Sequence, residues 1–311
     1  MKASYFILFL LIIALIFSSY ILFFKITEFN SNPVILEQKN ITPNENIISY
    51  PYGELQYYPN MRFNHNNITY SIDSSCSEEK IKRIEKAISM LEEDVNEISF
   101  FYTNNNADIE IICENKNVPS EVKEYFIAGE GGPTSVINTS LFYIIEKGKI
   151  LLYNDKSSCD HPNVELHELL HVFGFEHSTN KESIMYSVSS CKQVLTEDIK
   201  NELKRLYSIE NLPELYFSEI DVKKHGSYID FELKIKNQGL VKAKNIKLRI
   251  ISTFSNNTID EFDMGDIEYG EGKYLKVENL KIPFRTKDIK FEIVNGKELN
   301  NNNDVAEFSI E

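Results

Sequence analysis

The longest uninterrupted apolar stretch opens the chain. From Ala3 to Phe24 there is no charged side chain, and Lys2 and Lys25 bracket the run. Twenty-two helical residues span about 33 Å, enough to cross a bilayer core of about 30 Å. The run ends in Tyr20-Ile21-Leu22-Phe23-Phe24 without a small-residue cleavage pattern. It therefore predicts an uncleaved membrane anchor over residues 1–25 rather than a removed signal peptide. The flanking charges favour a cytoplasmic amino terminus. Residues 26–60 are polar, rich in Asn and broken by Pro33, Pro43, Pro51 and Pro59, the pattern of a stalk.

Between about 61 and 210 the period switches back and forth. Asn67 to Ile72 alternates as a strand does, and Ser75 with Glu78 forms a capping pattern before Ile81, Ile84, Ala87, Ile88, Leu91 and Val95 at helical spacing. Further strands are expected at Ala107–Cys113 and Lys149–Tyr153. A last helix opens at Thr196 and repeats Ile199, Leu203 and Leu206 on one face. Strand, long helix, strand predicts parallel pairing with a right-handed crossover. Glu92-Glu93-Asp94 reads as the solvated face of the first helix.

Beyond Leu212-Pro213 the period becomes almost wholly two. Phe231, Leu233 and Ile235 alternate with charged residues, as do Ile246, Leu248 and Ile250. About seven such runs over 213–311 predict a β-sandwich. The expected fold class is thus α+β: a twisted, mostly parallel sheet with helices over 61–210, then an all-β sandwich, behind an N-terminal transmembrane helix.

Composition narrows the function. Lys and Arg number 33 against 47 Asp and Glu, a net charge of -14, which repels phosphate backbones and argues against a nucleic-acid binder. The four cysteines, Cys76, Cys113, Cys159 and Cys191, are even in number and lie in one segment after the anchor, as suits an oxidising compartment. N-x-[ST] triplets at Asn40, Asn67, Asn138 and Asn256 add weak support for an extracellular placement.

The chemistry is concentrated in residues 167 to 177, His-Glu-Leu-Leu-His-Val-Phe-Gly-Phe-Glu-His. His167 and His171 stand four apart, so a helix projects both imidazoles from one face. Gly174 sits where the helix must stop, because a residue without Cβ turns sharply into the left-handed region. That turn returns His177 as a third nitrogen ligand. Three neutral imidazoles suit one catalytic Zn²⁺ and leave its fourth position open. Glu168 is the candidate general base for the attacking water. The other histidines, His65, His161 and His225, read as incidental.

This pattern, with Ser183-Ile184-Met185-Tyr186 downstream, resembles the metzincin metallopeptidases. Ser178 after the third histidine, the Ile-Met-Tyr run and the closing helix from Leu195 to Tyr207 look like the matrixin branch, over roughly residues 61 to 208. The resemblance implies a zinc endopeptidase whose substrate lies extended beside an edge strand, here Lys149 to Asn154. It also implies that Met185, in a turn continued by Tyr186, packs beneath the imidazoles without ligating. Ser187 stands where matrixins usually have Pro. No cysteine occurs between residues 26 and 75, so the thiol latency switch of matrixin propeptides is missing, and the segment carrying a second zinc has no counterpart. The C-terminal sandwich resembles the CARDB-like branch of immunoglobulin-type modules in its Asn237-Gln238-Gly239 turn, its Ala243 to Ile250 strand and its Glu298 to Asp304 turn.

The expected strand order places Cys76 and Cys113 at one sheet edge, and Cys159 and Cys191 on either side of the active-site helix. The expected bridges are therefore Cys76 with Cys113 and Cys159 with Cys191; the alternative is four thiols in a reducing compartment. Together these features describe a single-pass membrane protein with an extracellular zinc endopeptidase domain that cleaves protein or peptide substrates. The sandwich has a spacing or binding role. The competing reading is a surface adhesion protein that keeps the zinc fold as an inert scaffold.

Overall fold

The computed structural model describes residues 55–120, 126–154, 159–283 and 286–309. The expected anchor at 3–24 and most of the expected stalk lie outside these residues. Among the described residues no helix is long and apolar enough to cross a membrane.

Among the described residues the first half builds a six-stranded sheet, a two-stranded one and three helices. Strands β1 (Met61–Phe63) and β2 (Asn67–Ile72) precede helix α1 (Glu78–Asp94), followed by β3 (Ser99–Tyr102) and β4 (Ile109–Cys113). Two short strands, β5 (Val118–Pro119) and β6 (Phe126–Ile127), lead into β7 (Gly129–Asn138) and β8 (Tyr143–Leu152). Helices α2 (Asn163–Val172) and α3 (Glu197–Ser208) close this half. The sheet order is β1-β8-β4-β2-β3, with β7 paired to β8. All of its pairs are parallel except β7 with β8.

Helix α1 forms because its apolar positions fall on one stripe, and it buries Ile84, Ala87, Ile88 and Leu91 against the sheet and α2. Each large aliphatic side chain so buried stabilises the fold by about 1.5–3 kcal/mol. The cap differs from expectation. Ser77, not Ser75, accepts from the Lys80 N–H at 3.3 Å, while Ser75 Oγ accepts from Cys113 N. The acidic run is not simply solvated either. Glu92 accepts from the Phe100 N–H at 2.6 Å and anchors β3, and Asp94 pairs with Lys200 of α3 at 2.9 Å.

Arg62 on β1 is fully buried without a carboxylate partner among the described residues. It donates to the carbonyls of Phe63, Leu206 and Ile209 and to the side chains of Asn66 and Asn211. Leu206 and Ile209 lie at the end of α3, where carbonyls lack intrahelical partners. The guanidinium supplies those donors and ties the last helix to the first strand.

The second half is all strand. Strands β9 (Leu215–His225), β10 (Tyr228–Asn237) and β13 (Gly272–Lys281) form one sheet in the order β13-β10-β9. Strands β11 (Ala243–Ser252), β12 (Asn257–Ile267), β14 (Asp288–Val294) and β15 (Val305–Ser309) form the other, in the order β12-β11-β14-β15. The alternating apolar residues Phe231, Leu233, Ile235, Ile246, Leu248 and Ile250 meet between the sheets in one core. A smaller cluster joins the halves, with Phe142 and Ile144 of the β7–β8 hairpin against Leu240, and Thr139 Oγ1 donating to the Gln238 carbonyl at 2.7 Å.

Candidate metal centre and active site

Helix α2 is buried on nearly every side. Its apolar residues hold it in the core, and its polar residues therefore face partners rather than water. Phe173 caps it, and Gly174 follows at φ +85°. The Gly174 N–H donates to the His171 carbonyl at 2.9 Å and the Phe175 N–H to the Leu170 carbonyl at 3.1 Å. These are the two bonds of a Schellman turn, which needs the left-handed residue that Gly174 supplies. The chain reverses, and His177 comes back over the helix.

The three imidazoles converge. Nε2 of His167 lies 3.0 Å from Nε2 of His171 and 3.3 Å from Nε2 of His177, and the remaining pair is 3.2 Å apart. Nitrogen ligands at about 2.0–2.1 Å from a tetrahedral zinc stand about 3.3 Å from one another. The other ring nitrogens decide the protonation. His167 Nδ1 is 2.7 Å from the Ile184 carbonyl, and His171 Nδ1 is 2.7 Å from the Phe175 carbonyl. A carbonyl only accepts, so on these two rings Nδ1 carries the hydrogen and Nε2 presents a bare lone pair. Facing lone pairs repel one another unless a cation lies between them. The trio is the one group of metal-ligating side chains of this kind among the described residues. Burial pulls His167 down to about 4 and lowers His171, so both stay neutral, as ligation requires.

Glu168 lies on the side of α2 that faces β7. It is buried, which pushes its carboxyl up to about 8 against the lowering effect of a hydrogen bond from the Gly131 N–H. Strand β7 passes so close that a Cβ at Gly131 would overlap the Glu168 main chain. This close approach corrects the expected edge strand. Residues Lys149–Leu152 belong to β8, flanked by β4 on one side and β7 on the other. The free edge beside the helix is β7, beginning Gly-Glu-Gly-Gly-Pro. Three glycines and a proline hide it from propensity reasoning, because they are poor strand formers.

Ser183-Ile184-Met185-Tyr186 forms a tight turn beside the trio. The Ser178 N–H donates to the Met185 carbonyl at 2.8 Å, directly after His177, and Tyr186 N donates to the Ser183 carbonyl at 3.0 Å. Met185 is buried and Tyr186 half-buried. Through the Ile184 carbonyl the turn fixes His167. The disulfides join Cys76 to Cys113 and Cys159 to Cys191. The first connects the loop between β2 and α1 to the end of the neighbouring parallel strand β4, and the second ties the approach to α2 to the segment after the turn. His65 is structural, 3.1 Å from Asp108.

A family model described as matrixin, peptidase M10, matches residues 62–208. Over residues 62–208 the chain is thus similar to the matrixin family. The match begins inside β1 and ends at the last residue of α3. Among solved structures, the chain is similar to the CARDB domain of a Pyrococcus furiosus protein in complex with di-metal ions, at 20% identity and a TM-score of 0.26, covering 32% of this chain and 87% of that one. It is also similar to high choriolytic enzyme 1, a hatching enzyme zinc-protease of the medaka fish Oryzias latipes, at 21% identity and a TM-score of 0.25. That likeness covers 37% of this chain and 46% of the hatching enzyme. No curated protein matches the chain.

Proposed function

We propose that the matrixin-like domain is a zinc-dependent endopeptidase, with His167, His171 and His177 as metal ligands and Glu168 as general base. The observation that carries this reading is the convergence of three imidazole Nε2 atoms within 3.0–3.3 Å of one another, two of them on the helix that also presents Glu168 and the third on the segment that returns after Gly174.

Zinc bound there would supply Lewis acidity, acidifying a water and polarising a carbonyl. The rest falls to the chain's own residues. Ile184 and Phe175 hold two of the rings in the ligating tautomer. With zinc bound, whose charge would favour the ionised form of the otherwise raised Glu168 carboxyl, Glu168 Oε accepts a proton from the attacking water and returns it to the leaving amine. No described strand other than β8 pairs with β7, so an extended peptide can add to its free edge by main-chain hydrogen bonds. Gly129 and Gly131 of that edge lie against Glu168, so a peptide added there would bring its scissile bond beside the base. Pro133, which has no N–H, and the irregular register between Pro133 and Val136 interrupt the regular ladder, which resumes from Val136 to Asn138.

Both disulfides support an oxidising compartment. With the apolar run at 3–24 read as the anchor, the proposed substrates are extracellular or cell-surface proteins.

The test is cleavage of a peptide library by the full chain, with zinc content measured in parallel and Glu168→Ala as control. Cleavage that disappears in the variant supports the reading. A wild type that is fully loaded with zinc yet cuts nothing would replace it with the adhesion reading.

A further inference from the structure

The family match starts at residue 62, yet the metal centre is held from further upstream. We propose that the segment Leu55–Tyr57 is a working part of the metal centre, pairing with the turn that delivers His177 while the Tyr57 hydroxyl positions the His171 ring. This rests on the reading of the three histidines as a zinc site.

The segment pairs with each residue between the helix and the third histidine. Gln56 Nε2 donates to the Phe173 carbonyl at 2.8 Å, Tyr57 N to the Gly174 carbonyl at 2.8 Å, and Glu176 N to the Leu55 carbonyl at 2.9 Å. Gln56 and Phe175 form an antiparallel bridge. Phe173 and Gly174 end a helix, where carbonyls lack intrahelical partners, and the segment supplies donors for both. Gln56 is itself locked, donating to the Met61 carbonyl at 2.7 Å and accepting from Met61 N at 3.1 Å. His177 is the next residue after Glu176, so its position inherits whatever order this pairing imposes.

Tyr57 reaches the second ligand directly. Its hydroxyl is 3.0 Å from His171 Nδ1, and its ring stacks on the imidazole at 6.3 Å between centroids and 18° between planes. The Phe175 carbonyl has already placed the hydrogen on Nδ1, so the phenol oxygen shares that hydrogen as a second acceptor. It thereby holds the ring plane with Nε2 aimed at the other two imidazoles. Partners of this outer kind typically change metal affinity by about 10–100-fold. Tyr57 touches no reacting atom and is a positioning residue.

The experiment measures zinc affinity of the full chain by competition with a chromophoric chelator. It compares wild type, Tyr57→Phe, Gln56→Ala, and Tyr58→Phe as control, because Tyr58 stacks on Tyr143 rather than on the metal centre. Tyr57→Phe removes one oxygen from a side chain that is 41% exposed, and the metal-free variant should unfold at the wild-type temperature. The expected result is zinc bound about tenfold more weakly by Tyr57→Phe and at least as weakly by Gln56→Ala, with Tyr58→Phe unchanged. Wild-type affinity in Tyr57→Phe and Gln56→Ala would overturn the proposal, and so would an equal loss in Tyr58→Phe. If Gln56→Ala does not fold, the comparison of Tyr57→Phe with Tyr58→Phe decides alone. A wild-type chain that binds no zinc would instead sink the zinc reading itself.

Discussion

The main-chain N–H of Gly131 donates to the carboxylate of Glu168, joining the free edge of the sheet to the candidate base. A side chain at residue 131 would overlap the Glu168 main chain, whereas one at residue 132 would meet nothing within 4 Å. Gly131→Ala is therefore expected to destabilise the fold by about 1–3 kcal/mol, as overpacking does, and to lower peptidase activity by displacing Glu168. Gly132→Ala should stay within about 0.5 kcal/mol of wild type. Thermal unfolding of the two variants side by side checks the contrast.

Glu168→Gln keeps the shape of the side chain and removes its proton-accepting oxygen. Peptide cleavage should fall by about 10²–10⁴-fold in kcat/KM. Zinc content by elemental analysis should remain at the wild-type level, because the three imidazoles are untouched. Loss of metal in this variant would show that Glu168 ligates rather than accepts the proton.

Removing the metal should act on activity and stability together. Dialysis against a zinc chelator is expected to abolish cleavage, and added zinc to restore it. At free zinc a hundredfold above Kd, binding contributes about 2.7 kcal/mol to stability, so the metal-free chain should unfold at a lower temperature. An unfolding temperature that ignores both chelator and zinc would contradict a site that α2 and the segment returning after it assemble only in the folded chain.

The two disulfides should separate in their effects. Each closes a loop of more than 30 residues, with sequence separations of 37 and 32, so either double Cys→Ser replacement should cost roughly 3–4 kcal/mol. Replacing Cys159 and Cys191 should also weaken zinc binding, since that bridge ties the approach to α2 to the turn that fixes His167. Replacing Cys76 and Cys113 should leave zinc affinity unchanged. Differential unfolding and chelator competition on both variants read this out.

Acid stability should report Asp108. Burial alone would raise its carboxyl, but hydrogen bonds from His65 and from the hydroxyl and N–H of Thr69 outweigh it and hold it at about 2, below the usual 3.8. The unfolded chain therefore takes up this proton first. Asp108 stabilises the fold above about pH 4, and that contribution drains away as pH falls towards 2. Asp108→Asn should be less stable at pH 7 by about 1–3 kcal/mol and should lose less than wild type between pH 4 and 2. Equal losses in the two proteins would rule out Asp108 as the responsive group.

Much of this molecule is written in short-range patterns. The spacing of His167 and His171, the glycine at 174 and the return of His177 are consequences of helical period and of one residue's freedom at positive φ. So they are legible along the chain. The α1 stripe and the alternating runs after Pro213 are legible for the same reason, because burial of one face imposes its period on the sequence. What folding alone decided are the contacts between segments far apart in sequence. Strand β7 carries glycines and a proline that contradict strand propensity, and it is a strand because β8 pairs with it and α2 lies beneath it. Tyr57 sits 114 residues before His171, in a polar segment with no period of its own, and only the closing of the chain brings its hydroxyl to that imidazole. Arg62 likewise looks like an ordinary surface cation until α3 ends against it. Local chemistry names the ligands; long-range hydrogen bonding, which leaves no periodic trace, determines what holds them.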